Sequence, residues 1–323
     1  MNLGLYNKKK IFKSLDFLSI EDKEIFKSFS GNYLKLSKKE INHIKRQLNE
    51  ITKDFPSKIT KNNIIRIDCL FNNKLDLKVN EINTNNPGMS SDFIYQDFFN
   101  KSQNYSKYIT NYLRKISKKR TLVFLIESNI FDYIDILSLI DICNKNNIIY
   151  TIIKDKNKLK YLKKCFLISL QEIQTYDDIK HILINNDINI LNQSCFKYDD
   201  NKKLVKLSKK NKYILKSNKI KKQYKKKDFP IVIKKRFSKQ GLNVNILNNK
   251  NDFERFIKNK NKRDYITQEY FRTYNFKNKI TKNVSYYSLT FFIIDGNPSG
   301  FCFLKDNKKV FDNSAKLIPF KEC

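Results

Sequence analysis

Residues 64–88 have the sequence IIRIDCLFNNKLDLKVNEINTNNPG, which predicts two β-strands joined by a turn near Asn72. Because side chains alternate between the two faces of a strand, Glu81 and Asn83 share one face of the second strand. Asp68 lies on the first strand, and it points to that same face if the turn holds an even number of residues. The stretch therefore predicts a hairpin that gathers three oxygen-bearing side chains on one surface.

Two carboxylates and an amide in this arrangement suggest a magnesium site. Carboxylates held close together raise each other's pKa unless a cation lies between them. Mg²⁺ prefers oxygen ligands, keeps several waters, and binds through one or two carboxylates together with substrate phosphates. Asp68, Glu81 and Asn83 are therefore candidate magnesium ligands. The alternative is a surface hairpin whose polar face is only solvated.

The composition is strongly basic, with a net charge of +33 over 323 residues. Clustered Lys and Arg can neutralise the phosphates of nucleic acid. The excess is mostly Lys, however, and it accompanies many Asn, Ile, Phe and Tyr residues and no Trp. A genome-wide preference for AT-rich codons explains all of these together, and no nucleic-acid-binding motif accompanies the charge. A basic nucleic-acid-binding protein stays an alternative, and it is not the favoured interpretation.

The sequence also predicts the environment of the protein. No segment approaches the ~18 uninterrupted apolar residues of a membrane span. The first residues, MNLGLYNKKKIFK, lack the apolar core of a signal peptide, so we expect a cytoplasmic protein. The six cysteines are scattered without a CxxC pair, and there are only two histidines. This pattern favours reduced, buried thiols over a zinc site or a disulfide framework.

Residues 1–118 are predicted to contain a helical segment followed by the hairpin. The first sixty residues have helical character, and the sequence from Ser37 to Glu40 is typical of a capping box at a helix start. Apolar residues follow at helical spacing: Ile41, Ile44, Leu48 and Ile51. This spacing predicts an amphipathic helix just before the hairpin.

Residues 119–205 are predicted to form a small Rossmann-like domain. Residues 121–126 and 148–153 are apolar strands, and residues 132–146 have helical periodicity. A strand, a helix and a strand with short connections predict a βαβ unit in a parallel sheet. No glycine-rich fingerprint follows the first strand, so a dinucleotide site is not predicted there.

Residues 206–323 are predicted to form a third region. The lysine-rich stretch 206–227 is typical of a solvated linker or helix face. After it, Lys234 ends an apolar strand and precedes a loop that contains Gly241. A fixed cation beside flexible backbone N–H groups suits the binding of a triphosphate.

Three motifs together resemble a known family. The motifs FPIVIKKRFSKQG at 229–241 and ITQEYF at 266–271 are similar to the nucleotide-binding half of an ATP-grasp domain. The motif LKVNEINTNNPG at 77–88 is similar to the metal-binding end of that domain. The metal half comes first in this chain, as in circularly permuted ATP-grasp proteins. The best-known branch of these proteins is the glutathionylspermidine synthetase-like carboxylate–amine ligases.

The resemblance implies an α/β chain with α+β lobes. The fold would be a circularly permuted ATP-grasp fold with an inserted Rossmann-like pre-ATP-grasp domain at 119–205. It also implies an ATP- and Mg²⁺-dependent ligase that forms an amide bond through an acyl-phosphate. Its substrates would be a carboxylate and an amine, such as an amino acid, a peptide or a polyamine-like molecule.

The resemblance further implies roles for single residues. Lys234 would contact the adenine and the α-phosphate, Arg66 would face a phosphate or acyl-phosphate, and the three hairpin residues would bind Mg²⁺. Nucleotide-binding roles are implied for Lys219, Ser238, Lys239, Gln240, Gly241, Gln268, Glu269 and Phe271. The predicted phosphate lid, residues 238–241, has a single glycine. A catalytically inactive scaffold that binds nucleotide or a partner is therefore a second interpretation.

Overall fold

The structure is a computed structural model that describes residues 2–5, 32–84, 105–126, 130–169, 179–193, 200–237, 243–277, 284–310, 316–318 and 320–322. The strands in these ranges are β1 (Asn2–Leu5), β2 (Asn32–Leu36), β3 (Ile64–Phe71), β4 (Leu77–Asn83), β5 (Thr121–Leu125), β6 (Tyr150–Ile153), β7 (Cys165–Ile168), β8 (Asn189–Ile190), β9 (Ser217–Lys219), β10 (Ile231–Lys235), β11 (Val244–Leu247), β12 (Tyr265–Glu269), β13 (Asn275–Lys277), β14 (Val284–Ile294), β15 (Asn297–Asp306), β16 (Lys316–Ile318) and β17 (Phe320–Glu322). The α-helices are α1 (Lys38–Asp54), α2 (Ser57–Thr60), α3 (Tyr105–Ser117), α4 (Ile130–Lys145), α5 (Lys180–Asn185), α6 (Lys202–Leu207) and α7 (Lys250–Ile257).

The predicted hairpin belongs to a six-stranded antiparallel sheet with the order β16-β15-β14-β3-β4, in which β13 also pairs with β14. One face of this sheet packs on α1 in a single apolar cluster that includes Ile67, Phe71 and Phe291. Among the described residues, the opposite face packs on α3, α4 and the parallel sheet at the end that carries Ile64 and Phe292. The rest of that second face, around Asp68, carries half-buried polar side chains.

Helix α1 confirms the predicted capping box. Glu40 N donates to Ser37 Oγ at 3.3 Å, and Ser37 N donates to Glu40 Oε2 at 2.8 Å, so two main-chain donors at the helix start are satisfied. Further along the helix, buried Gln47 donates to Leu75 O at 2.8 Å and accepts from Leu77 N at 2.9 Å. Helix α1 thus holds the turn of the hairpin by hydrogen bonds as well as by apolar packing.

The predicted βαβ unit is present. Strands β5 and β6 pair in parallel and are joined by α4, and β7 and β8 extend the parallel sheet in the order β6-β5-β7-β8. The central strand β5 is apolar and buried from Leu122 to Leu125, as a strand covered on both faces requires.

A four-stranded antiparallel sheet, β11-β10-β12-β9, forms the third region. Its apolar face packs on α7 through a cluster that includes Ile233, Leu247 and Phe253. The prediction of a solvated linker over 206–227 is wrong for part of this stretch. Residues 217–219 form β9, and Ile214 and Leu215 are buried. The lysines of the stretch obscured a short alternation of buried and exposed residues.

The prediction of helical character over the first sixty residues is also wrong in part. Residues 2–5 and 32–36 are strands, and residues 6–31 lie outside the described part of the chain. Strand β2 pairs with β1 on one side and with β17, near the other end of the sequence, on its other side. A pairing over nearly three hundred residues leaves no local pattern that sequence periodicity could detect.

Four of the six cysteines lie in the described ranges, and all four are buried free thiols: Cys69, Cys143, Cys165 and Cys302. Cys195 and Cys323 lie outside the described residues. Burial raises the pKa of the Cys143 thiol to about 12, so this thiol is protonated at neutral pH. Among the described helices, none has the length and apolar character needed to cross a membrane.

Candidate functional site

The two strands of the hairpin change register at the candidate site. The turn between β3 and β4 holds five residues, 72–76, so a regular ladder would place Asp68 opposite Asn80 and turn Glu81 to the other face. Instead, the register shifts beside Asp68. Asn80 of β4 then has no partner residue on β3, and Asp68 lies directly opposite Glu81. This β-bulge puts both carboxylates on one face, together with Asn83. The condition of an even turn is not met, and the bulge has the same effect.

Asp68 lies at the centre of a polar network on that face. Its Oδ2 accepts from Asn83 Nδ2 at 2.7 Å and from Arg66 Nη2 at 3.2 Å. Its Oδ1 lies 3.1 Å from Arg66 Nε but is buried and has no hydrogen-bond partner among the described residues. Thr290, directly opposite Asp68 on β14, has a buried Oγ1 that also lacks a hydrogen bond within the described ranges. The face therefore holds oxygen atoms with capacity for a further ligand.

Lys234 of β10 is buried beside the bulge, and only 4% of its surface is exposed. Its Nζ donates to Asn80 Oδ1 at 2.7 Å and to Asn80 O at 3.0 Å. Burial lowers the pKa of Lys234 to about 8, although the charges of Glu81 and Asp68 act to raise it. Asn80, the bulged residue of β4, thus accepts both hydrogen bonds from the Lys234 ammonium. This cation lies close enough to Glu81 and Asp68 for their charges to act on it.

Main-chain hydrogen bonds of residues 213–216 join the two halves of the site. Val79 of β4 exchanges two hydrogen bonds with this segment, at 2.7 Å and 3.2 Å. Glu269 N, at the end of β12, donates to Lys216 O at 2.9 Å. Because both strands are bonded to one segment, the hairpin and the β10–β12 sheet are held at a fixed spacing.

Two more of the predicted nucleotide-binding residues share the face of Lys234. Lys219 and Lys234 pair with Ile266 from opposite sides, so the three side chains point the same way, and Lys219 is exposed. Gln268 lies two positions from Ile266 on that face and is 2% exposed. Its Nε2 donates to Ser217 Oγ at 3.3 Å, whereas its buried Oε1 has no hydrogen-bond partner among the described residues.

The other predicted nucleotide residues are placed differently or are not described. Glu269 points to the opposite face of β12, and its Oε1 accepts from Lys216 N at 3.0 Å. Phe271 follows β12 and is half-buried. The residues of the predicted lid lie outside the described ranges: Ser238, Lys239, Gln240 and Gly241.

Sequence reasoning missed two asparagines. Asn80 carries no local signal in an Asn-rich chain, since its part depends on the bulge. Asn192, 2% exposed, accepts from Ile64 N at 2.7 Å and donates to Ile64 O at 2.6 Å and Thr84 O at 2.8 Å. It thereby ties together the first residue of β3 and the residue that follows β4. The left-handed backbone of Asn192, with φ of 64°, suits an asparagine but cannot be read from sequence.

The described ranges contain no cluster of three His, Cys, Asp or Glu side chains that could hold a metal ion. A magnesium ion on the hairpin would therefore depend on two carboxylates and an amide, completed by water and substrate oxygens, as is usual for Mg²⁺.

Comparison with known proteins agrees with this architecture. A family model described as glutathionylspermidine synthase preATP-grasp matches residues 200–321. No curated protein matches the chain in sequence. The resemblance to glutathionylspermidine synthetase-like proteins is therefore confirmed over the part of the chain that carries Lys234. It points to the ATP-grasp-like carboxylate–amine ligases as a class.

Solved structures extend the likeness to the whole chain. A glutathione synthetase-like effector (GSS30) from Globodera pallida, in the apo form, has a TM-score of 0.58 at 11% identity, covering 98% of both chains. A putative gamma-glutamylcysteine synthetase from Methylobacillus flagellatus KT has a TM-score of 0.46 at 9% identity, covering 87% of this chain and 85% of its own. A D-alanine–D-alanine ligase from Bacillus anthracis has a TM-score of 0.33 at 11% identity, covering 62% and 86%. The predicted mixed α/β fold of ATP-grasp type is confirmed, while its circular permutation and the domain boundaries stay predictions.

Proposed function

We propose that this chain is an ATP- and Mg²⁺-dependent carboxylate–amine ligase of circularly permuted ATP-grasp form. One observation carries the proposal: the bulge at Asn80 sets Asp68 opposite Glu81 and also binds the buried ammonium of Lys234. Carboxylates for a cation and a fixed cation for phosphates then lie side by side. Phosphoryl transfer needs little more from a protein than such positioning and charge neutralisation.

The residues present suit magnesium. Asp68 Oδ1 is buried without a hydrogen bond among the described residues, and Asp68, Glu81 and Asn83 are all oxygen donors. A bound Mg²⁺ would draw negative charge from the β- and γ-phosphate oxygens. Arg66, which pairs with Asp68 at 3.1 Å, would add positive charge to a phosphate or acyl-phosphate.

The nucleotide would lie over β10 and β12. Lys234 would neutralise phosphate charge, and Gln268 Oε1, which has no hydrogen-bond partner within the described ranges, would accept a hydrogen bond from the nucleotide. Lys219, Glu269 and Phe271 stay nucleotide-binding candidates at the rim. Residues 238–241 are proposed as the lid that would exclude water and protect an acyl-phosphate from hydrolysis.

The substrates would be a carboxylate and an amine of the amino acid, peptide or polyamine type. The carboxylate would attack the γ-phosphorus of ATP and release ADP, and the amine would then displace phosphate from the acyl-phosphate. The single glycine of the proposed lid favours one other function, a scaffold that binds nucleotide without turnover.

Measuring ADP release from ATP and Mg²⁺ in the presence of pooled amino acids and amines tests the proposal, together with a thermal shift by Mg-ATP. We expect both signals in the wild type, loss of ADP release in Asp68→Ala, and retention in Glu254→Ala, which removes an exposed carboxylate of α7. Stabilisation by Mg-ATP without ADP release under any pool would identify the scaffold. No response to Mg-ATP at all would refute both.

A further inference from the structure

A separate cavity of about 660 Å³ lies at the end of the parallel sheet where its strands begin. It is an open cleft, lined by α2 and the loop 61–63, by the end of α3, and by residues of β7 and β8. Its volume is within the ~300–1,000 Å³ typical of small-molecule sites. Asn63 in its wall is five residues before Asp68, which along an extended strand is roughly 16 Å. The cavity is therefore distinct from the candidate ATP site.

The rim of the cavity is basic. Lys115 pairs with Asp295 at 2.6 Å, and Arg120 pairs with Asp187 at 3.0 Å. The other three basic residues of the lining, Lys58, Lys61 and Lys119, are exposed, and no ion pair of theirs is found among the described residues. None of the described residues that line the cavity is acidic, and the carboxylates of Asp295 and Asp187 beside it are paired with Lys115 and Arg120. Codon bias explains many lysines in the chain, but it does not explain why five basic residues and no acidic one are found among the described lining residues.

The floor of the cavity is apolar. Tyr112 and Ile190 are buried, and Ile116 and Phe166 are half-buried beside them. The wall also contains amide side chains, of which that of Asn63 donates to Ile59 O and Lys61 O within the protein: Asn62, Asn63, Asn189 and Gln193. An apolar floor, a few polar groups and a cationic rim are the features of a site for an organic anion. The described lining residues include no carboxylate that could bind a metal cation.

We propose that this cavity binds a small organic anion whose aromatic or aliphatic body rests on the apolar floor and whose phosphate or carboxylate meets the lysines of the rim. The apolar contact distinguishes such a ligand from inorganic phosphate, which would gain only the charge interaction. The basic rim distinguishes it from a neutral apolar molecule. This inference does not depend on the proposed ligase activity.

Fluorescence titration of the full chain with 1-naphthyl phosphate tests the proposal, with inorganic phosphate as competitor. We expect saturable one-to-one binding and competition by inorganic phosphate only at concentrations at least about tenfold higher. The Lys61→Glu/Lys119→Glu variant should lose affinity by about tenfold or more, because two attractions become repulsions. The Lys38→Glu/Lys39→Glu variant, with the same charge change on exposed lysines of α1, should bind as the wild type does.

Two further variants separate the alternatives. Lys58→Glu changes a single exposed residue of α2, so its loss of affinity supports the site even if the double variant does not fold. Asp68→Ala changes the candidate ATP site and not the cavity, so it should leave naphthyl phosphate binding unchanged. This expectation holds whether or not the protein turns over ATP. Equal weakening in the α1 control, equal affinity for inorganic phosphate, or loss of binding in Asp68→Ala would each overturn the proposal.

Discussion

The hairpins β3–β4 and β14–β15 belong to the same sheet, and each contains one register shift, but they differ in turn and burial. Hairpin β14–β15 closes through a two-residue turn in which Asp295 and Gly296 have positive φ of 47° and 84°. Such a turn matches the twist of paired strands, and nearly all of β14 is buried on both faces. Hairpin β3–β4 has a five-residue turn, and its bulge lies on a second face of half-buried polar residues rather than in an apolar core.

The two hairpins contribute differently to the sheet: β14 supplies apolar packing, whereas one face of β3–β4 supplies the polar groups of the candidate site. The side chains of β14 fill two apolar clusters, since Phe291 joins the cluster on α1 and Phe292 joins the cluster on α3. On β3, Ile67 packs in the apolar cluster on one face of the strand, and Asp68 belongs to the polar network on the other face. Substitutions in β14 should therefore change mainly the free energy of unfolding, whereas substitutions on the polar face of β3–β4 should change mainly ligand binding and turnover.

The largest expected effect on stability is that of Phe291→Ala. Phe291 is fully buried in the cluster on α1, so its truncation should lower the free energy of unfolding by about 3–5 kcal/mol. Denaturant unfolding of purified protein measures this change. If the free energy of unfolding fell by less than about 1 kcal/mol, β14–β15 would not be the hairpin that mainly stabilises the sheet.

Glu81→Gln should have the next largest effect, and on function only. The substitution keeps the shape of the side chain but removes one of two carboxylates, so ATP-dependent ADP release should fall by about a hundredfold or more. The free energy of unfolding should change by less than about 1 kcal/mol. Glu254→Gln on α7 is the matched control and should keep full activity. If Glu81→Gln lowered the free energy of unfolding as well as the activity, the polar face of β3–β4 would not be distinct from β14 in its role.

Asn80→Ala sharpens the role of the bulge. The substitution removes the 2.7 Å hydrogen bond to the Lys234 ammonium and keeps the main-chain one. A hydrogen bond to a charged group is worth about 1.5–3 kcal/mol, so the affinity for Mg-ATP should fall by about tenfold or more. Asn80→Asp restores an acceptor oxygen and should recover the larger part of this loss. Isothermal titration measures both, and identical affinities in wild type and Asn80→Ala would remove Asn80 from the site.

The pH dependence of nucleotide affinity should show a smaller effect. The pKa of Lys234 is about 8, so its positive charge is present at pH 7 and is lost as the pH rises. Affinity for Mg-ATP should then fall by about tenfold between pH 7 and pH 9. Lys234→Arg keeps its charge over this range and should flatten the profile. The same slope in both proteins would assign the pH dependence to another group.

The same residue affects stability with the opposite sign. The pKa of Lys234 is about 8 in the folded state and 10.5 for an ordinary lysine, so between these values the unfolded state binds more protons. The free energy of unfolding should therefore rise with pH across this window. Lys234→Met should remove this increase in unfolding titrations at several pH values. An unchanged slope in Lys234→Met would show that burial does not destabilise the charged lysine.

The sequence predicts most of this fold where the pattern is local. The capping box at Ser37, the buried strand β5 and the alternation around Asp68 all depend on neighbouring residues, and the structure contains all three. The pairing of β2 with β17 and the strand hidden among the lysines depend on distant partners, so periodicity could not detect them. The face shared by Asp68 and Glu81 was predicted from a turn of even length, yet the structure reaches it by a bulge at Asn80.

The central claim is that the β3–β4 hairpin and β10 form one Mg-ATP site. A double-mutant cycle of Glu81→Gln and Lys234→Met, with Mg-ATP affinity measured by isothermal titration, tests it most directly. Residues that act on one bound ligand should couple, so the double variant should lose clearly less binding free energy than the sum of the single losses, by about 0.5 kcal/mol or more. One-to-one binding in the wild type together with this coupling would support the account. Additive losses, or no binding of Mg-ATP by the wild type, would contradict it.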